Sequence, residues 1–188
     1  MASRSTRFSR VIVVIRSLRV MITLKLRGVS FSRVSCEGSA PVWVTRGTIS
    51  IGSLATSGFI APPQIGAAPT GQLFIGRNVF VNQGATIVAE KLITIEDDVR
   101  VGDFAAIYDS DFHAVVPGTA VRVAPVTLEQ GCWIGRGAVV LPGVTVGAGS
   151  VVAAGAIVTT SVPSGVVVAG MPAEIISRFE YDRRYPRS

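Results

Sequence analysis

The chain has 188 residues, a formal net charge of +6, 48% hydrophobic residues and only 16% charged ones. That length gives one domain with appendages and room for a continuous apolar core. No run of roughly eighteen apolar residues occurs, so no membrane-crossing helix is predicted. Two cysteines far apart in sequence, Cys36 and Cys132, make neither a metal nor a redox motif and fit a reducing, cytoplasmic setting.

The positive charge sits at the N-terminus. Residues 1–36 carry eight basic residues (Arg4, Arg7, Arg10, Arg16, Arg19, Lys25, Arg27, Arg33) and no acid, leaving ten basic against twelve acidic residues elsewhere. Residues 1–45 therefore read as a basic arm. Within Val11–Leu26, Arg interleaves with Val, Ile, Leu and Met, and three readings stay open. The segment is a basic amphipathic helix on an anionic membrane, a helix packed on the side or end of the main domain, or a stretch resembling an organelle transit peptide. Arg16 and Arg19 interrupt the apolar run and argue against a cleaved signal peptide. No aromatic or groove-reading motif accompanies the charge, and nucleic-acid binding is set aside.

From about residue 46 to 170 aliphatic residues recur every six positions. One frame runs through Ile75, Val81, Ile87 and Ile93; after a two-residue slip it resumes at Ile95, Val101 and Ile107. An unbroken frame follows at Leu128, Ile134, Val140, Val146, Val152 and Val158. A period of six belongs neither to an amphipathic helix (3.6) nor to a half-buried strand (2). It predicts a solenoid of short parallel strands, three units to a triangular coil of about eighteen residues, each coil stacked on the last. The aliphatic points inward; Asn78, Gly84, Gly131, Gly137, Gly143, Gly149 and Gly155 fall at corners and take left-handed backbone. Cys132 falls at a small inward position and reads as core.

The period breaks once on a large scale, between residues 108 and 127. This interruption holds His113, the chain's single histidine, in the run Asp109-Ser-Asp-Phe-His113. An inserted loop is where a uniform solenoid wall acquires chemistry, and neutral imidazole is the usual general base near neutral pH. Asp109, Asp111 or a backbone carbonyl would fix its tautomer.

The hexads, together with Asp109-Ser-Asp-Phe-His113, Trp133-Ile-Gly-Arg-Gly, Leu-Pro-Gly-Val-Thr-Val-Gly and Val-Val-Ala-Gly-Met-Pro-Ala, resemble the hexapeptide-repeat acetyltransferases over roughly residues 70–177. The nearest branch is that of maltose, galactoside and polysaccharide O-acetyltransferases. The resemblance implies an all-β, left-handed parallel β-helix, a hand that periodicity alone does not give. It implies transfer of an acetyl group from acetyl-CoA to a sugar or glycan hydroxyl, in polysaccharide or lipid-linked sugar synthesis, by direct attack in a ternary complex. His113 is then the general base, with an oxyanion-stabilising N–H near Arg136. Asn82, Glu90, Asp111 and Trp133 match acceptor-site positions. Trp133, Arg136, Ala154, Thr159 and Thr160 match the groove that holds the pantetheine arm.

For the CoA phosphates the tail, residues 171–188, offers Arg178, Arg183 and Arg184. Relatives often carry Arg after Gly-Met-Pro-Ala, where this chain has Glu174, and the expectation moves to Arg178. The resemblance further implies a homotrimer with each active site shared by two chains, no metal, and a cytoplasmic location with peripheral contact at the inner membrane face through residues 1–36. A γ-class carbonic anhydrase would need three histidines and is excluded. A soluble antibiotic or small-metabolite O- or N-acetyltransferase and a non-catalytic scaffold are the alternatives.

Overall fold

The computed structural model describes residues 3–182 and 184, with side chains from residue 11 onward. The arm is helical: α1 (Ser3–Leu26) ends in a left-handed Gly28, with Val29 N–H donating to the Leu24 carbonyl at 3.0 Å and Gly28 N–H to Lys25 at 3.1 Å, a hydrogen-bonded stop that satisfies the last carbonyls. The strands then follow coil by coil. Strand β1 (Ser30–Gly38) comes first; the first coil holds β2 (Val42–Thr45) and the long β3 (Thr48–Gly58), and the second holds β4 (Gln64–Ala67), β5 (Gln72–Ile75) and β6 (Val79–Val81). Next come β7 (Thr86–Ala89), β8 (Leu92–Ile95) and β9 (Arg100–Val101), then β10 (Ala106–Tyr108), β11 (Val126–Leu128) and β12 (Trp133–Ile134). The last coils hold β13 (Val139–Val140), β14 (Thr145–Val146), β15 (Val151–Val152), β16 (Ile157–Val158) and β17 (Val166–Ala169), closed by β18 (Glu174–Arg178).

These strands stack in parallel on three faces. The first face runs β3, β5, β8, β11, β14 and the second β3, β6, β9, β12, β15, β17. The long β3 belongs to both because it bends between Ile51 and Leu54, its two ends pairing with β5 and β6. The third face runs β2, β4, β7, β10, β13, β16. Each hexad aliphatic is buried, and Ile87, Ile93, Ile107, Leu128, Ile134, Val140, Val146 and Val152 are wholly inaccessible. Burying one such side chain contributes about 1.5–3 kcal/mol, so the inward ladder dominates the fold's stability. Cys132 is fully buried, as its inward position predicts.

Register explains the two-residue slip. Ile75 pairs with Ile95 and Ile87 with Ile107, a step of 20 residues; Leu128 pairs with Val146 and Val140 with Val158, a step of 18. The longer coils have two inward residues on the first face, Leu73 with Ile75 and Ile93 with Ile95. All seven corner residues named from the sequence have positive φ; Asp98, Phe104 and Phe112 join them without being glycine.

At both ends the solenoid reaches into segments that the sequence reading set apart. Strand β1 lies within residues 1–45 yet pairs with β3 from Ser30 to Gly38, with Val34 and Cys36 inward. Helix α1 packs onto this terminal strand through Val20 and Leu24, and the Ser17 hydroxyl accepts the Cys36 N–H at 3.0 Å. In the tail, β18 pairs antiparallel with β17. Neither segment carries the hexad, because each makes pairings of its own rather than a full coil.

Candidate functional site

Three edges separate the faces, and the site residues predicted from sequence, Arg178 apart, fall on or beside two of them. The edge between the third and first faces carries Glu90, the interrupting loop, and Thr159 with Thr160. The edge between the second and third faces carries Asn82, then Arg136 two coils on and Ala154 one coil beyond that, with Trp133 on the adjoining strand β12. The third face, with strands of two to four residues, lies between the two groups.

The loop edge is built on Asp109, the residue after β10. Its side chain is fully buried. One carboxylate oxygen accepts the Glu90 N–H at 2.8 Å, and the other accepts Lys91 at 2.7 Å and Leu92 at 2.6 Å. The carboxylate thus ties the departing loop to the corner one coil below, where three backbone donors would otherwise be left without partners. This corrects one option for the tautomer: Asp109 has its oxygens committed elsewhere and does not orient His113.

Beyond Asp109 the chain runs out and back as a narrow ladder. Ser110 bridges Val123, Asp111 N–H donates to Arg122 at 3.0 Å, and Ala124 N–H donates to Asp109 at 2.9 Å. Phe112 takes a left-handed conformation, stabilised by its N–H donating to the Ser110 hydroxyl at 3.0 Å and by an edge-on contact with Tyr108 at 5.5 Å. The turn presents His113, whose N–H donates to the Asp111 carbonyl at 2.7 Å and whose imidazole is exposed. Among the described residues its ring makes no hydrogen bond to Asp111. A groove at the loop base joins Glu90, Lys91, Ser110 and Phe112, so Glu90 shares the loop's edge.

The other edge holds a groove of about 420 Å³ lined by Phe80, Asn82, Arg100, Asp103, Trp133 and Arg136. Trp133 is half exposed and presents an apolar face, and the Arg136 guanidinium stacks 5.9 Å over the Phe104 ring. Two features here were missed by sequence reasoning. The first is Asp103, one of whose carboxylate oxygens is buried without a hydrogen-bond partner among the described residues. The second is a row of backbone donors. In successive turns Gly135, Gly137, Ala153 and Gly155 donate to neighbouring coils, while the N–H groups of Asp103, Arg136 and Ala154 make no hydrogen bond among the described residues. The repeat itself creates this row, because each corner leaves the same N–H without a backbone acceptor; at the matching Gln83 it is taken up by the Asn82 side chain at 2.9 Å.

Arg178 stands elsewhere. Strand β18 runs back along the second face, with Glu174 opposite Ala169 and Arg178 opposite Val166. Glu174 is therefore at the Arg136–Ala154 edge and Arg178 at the far side of the face. Arg184 is engaged by Asp182, its guanidinium donating at 2.6 Å, and Arg183 lies outside the described residues.

The bacterial transferase hexapeptide (six repeats) family model matches residues 125–160. A putative lipopolysaccharide biosynthesis O-acetyltransferase of Escherichia coli is 30% identical over 150 residues, covering 73% of this chain and 76% of that protein. The galactoside O-acetyltransferase of E. coli is 31% identical over 117 residues, 60% of this chain and 58% of that one. The chain spans just over half the length of the first curated relatives it matches. Among solved structures, a galactoside acetyltransferase in complex with coenzyme A superposes with a TM-score of 0.58 at 30% identity, over 68% of this chain and 65% of that chain. The shared fold is the left-handed parallel β-helix that the hexads and the family pattern lead one to expect.

Proposed function

Because this chain belongs to the hexapeptide-repeat transferase family, we propose that it moves an acetyl group from acetyl-CoA to a hydroxyl of a sugar or glycan. The carrying observation is the division of the site: a base-bearing loop on one prism edge and a groove of unused N–H groups beside Trp133 on another. The names of the relatives support the sugar acceptor and O-acetylation, and the coenzyme A complex supports the acyl donor.

In this reading His113 takes the proton of the acceptor hydroxyl as its oxygen attacks the thioester carbonyl. The carbon–sulfur bond breaks, the ester carbon–oxygen bond forms, and the proton passes from His113 to the departing thiolate. The Arg136 N–H is free to stabilise the oxyanion, and an electrostatic donor of this kind contributes about 2.7–4 kcal/mol. Ala154 N–H is free for an amide carbonyl of the pantetheine arm, which Trp133 would cover. The groove thus fits such an arm by the chemistry of its donors. Asn82 and Glu90 bind the acceptor, and Arg136 and Arg100 bring positive charge to the groove. Arg178, at the far side of the second face, serves the phosphates only in an assembly that brings it to a neighbouring groove.

His113 and the row of N–H groups lie at opposite ends of the third face, so one chain does not complete the site. A homotrimer does so by setting the loop edge of one subunit against the groove edge of the next. The test is release of free thiol from acetyl-CoA with a panel of sugar, antibiotic and amine acceptors. His113→Ala is expected to lose at least about 10²-fold in kcat. Refolding His113→Ala together with Asn82→Ala should restore part of the activity, since mixed assemblies contain sites with both residues intact. Absence of turnover by the wild type with every acceptor would sink the transferase reading. Turnover without complementation would sink only the shared site.

A further inference from the structure

Helix α1 is apolar on two opposite sides. At 100° per residue, Ser17, Val20 and Leu24 form one face, and all three are buried against the end of the solenoid. Val11, Ile15, Leu18, Ile22 and Leu26 form the opposite face, at spacings of three and four, with Val14 on its flank, and every one of them is exposed. A helix covering a core normally turns a polar face outward. Here Leu18 and Ile22 are each 52% exposed and Leu26 is 84% exposed. Phe59, 72% exposed, stands beside the helix in a groove with Ile12, Val13 and Val14, and Ile60 follows it. The result is a continuous apolar surface well beyond the scattered residues that need no explanation.

The charges bordering this surface are positive except for Glu37. Arg19, Lys25 and Arg27 are exposed on or next to the helix, Arg16 is half-buried, and residues 1–36 contain no acid. Glu37 is the one carboxylate lining the groove beside the helix. A second copy of the same helix would bring like charges together with no acid from either helix to pair them, which opposes self-association through this face. Among the described residues no helix is long and apolar enough to cross a membrane. What accepts both an apolar stripe and a border of cations is the headgroup and acyl boundary of an anionic bilayer.

We propose that α1 docks the solenoid onto an anionic lipid surface, its outward stripe entering the interface while its inward face stays packed on β1. This stands independently of the acetyl-transfer reading, since vesicle binding needs no turnover. The helix is held to the domain by Ser17, Val20 and Leu24, so docking does not require it to detach.

The experiment is co-sedimentation of the full chain with vesicles of equimolar phosphatidylglycerol and phosphatidylcholine, and with phosphatidylcholine alone. Binding to the anionic vesicles is expected, weakening as salt rises, with little binding to the neutral ones. The double substitution Leu18→Glu/Ile22→Glu changes only outward residues and is expected to lower binding roughly tenfold or more, with the elution volume and circular dichroism unchanged. Sedimentation with neither vesicle, or equal sedimentation of wild type and double variant, overturns the proposal. A double variant that elutes as a smaller species also overturns it, because the stripe is then a contact between copies of this chain.

Discussion

The two edges that flank the third face are made in opposite ways. On the groove edge each coil repeats the last: Gln83, Asp103, Arg136 and Ala154 follow at matching places, and the row of unused N–H groups from Asp103 to Ala154 is a by-product of the repeat. On the loop edge the repeat is suspended. Ile93 pairs with Val126, a step of 33 residues, and a single buried carboxylate holds the excursion to the coil below. The regular edge is suited to lie along an extended ligand. The irregular one can lift a single side chain, His113, off the wall. A solenoid thus gains a binding edge from repetition and a reactive edge from a controlled interruption.

The largest expected effect comes from breaking the interruption alone. Asp109→Ala leaves the Glu90, Lys91 and Leu92 N–H groups without their acceptor, at about 1–3 kcal/mol for each that water does not reach. Asp109→Asn is expected to be nearly as damaging, because its amide presents donors to a nest of donors. Loss of the anchor displaces His113, and a misplacement of about 1 Å costs about 10²-fold in kcat. Acetyl-CoA binding by the groove edge should survive, measured by calorimetry on the same variant. If Asp109→Asn keeps full turnover, the carboxylate does not position the loop. If acetyl-CoA binding falls with turnover, the two edges are not separable.

The same contrast governs what the sequence discloses. Six-residue spacing from Leu128 to Val158 identifies the coils outright, because one inward aliphatic per strand is a linear pattern. The slip between Ile93 and Ile95 is visible too, although its cause, a first-face strand with two inward residues, needs the register. From Ser30 to Ala67 no hexad marks the coils, since β1 and β3 are long strands whose alternation resembles an ordinary sheet. His113 stands out through its position in the break. The role of Asp109 does not, because its partners are backbone N–H groups some eighteen residues back, which leave no trace in side-chain identity. Asp103 is hidden for a different reason: it occupies a corner position that any small polar residue suits, and only the groove around it gives it meaning.

A smaller effect should sharpen the groove side of the comparison. Asp103, one of whose carboxylate oxygens is buried and unpartnered among the described residues, lines the groove with Asn82 and Trp133. On the transferase reading, a hydroxyl of the acceptor donates to this carboxylate from the groove. A hydrogen bond to a charged group contributes about 1.5–3 kcal/mol, so Asp103→Asn is expected to raise the acceptor KM by roughly tenfold or more with the acetyl-CoA KM unchanged. An increase confined to the acetyl-CoA KM would place the pantetheine arm, not the acceptor, against Asp103. Two unchanged constants would mean that the oxygen plays no part in binding.

The remaining edge, between the first and second faces, is the internal control in the coils of Arg77 and Asp97, far from Arg178, where no residue is assigned to chemistry. It is clasped by polar side chains: Asp97 accepts the Arg77 backbone N–H at 2.6 Å and the guanidinium at 2.7 and 2.9 Å, while Asn78 donates to Asp98 at 2.8 Å. The Arg77 backbone N–H first, and then its guanidinium, hold the Asp97 carboxyl below its ordinary value. A lowered folded pKa means that this contribution to stability is fully present above the ordinary carboxylate pKa of about 3.9 and is lost as pH falls through the lowered value. Asp97→Asn should therefore melt slightly below wild type at neutral pH, and the gap should close as the pH drops below that range. Because the pair is solvent-screened, the difference is expected to be the smallest of the three and to shrink with added salt. Turnover at neutral pH should be unaffected. A loss of activity in Asp97→Asn without a loss of stability would show that the third edge also takes part, and the division of labour between the other two would no longer hold.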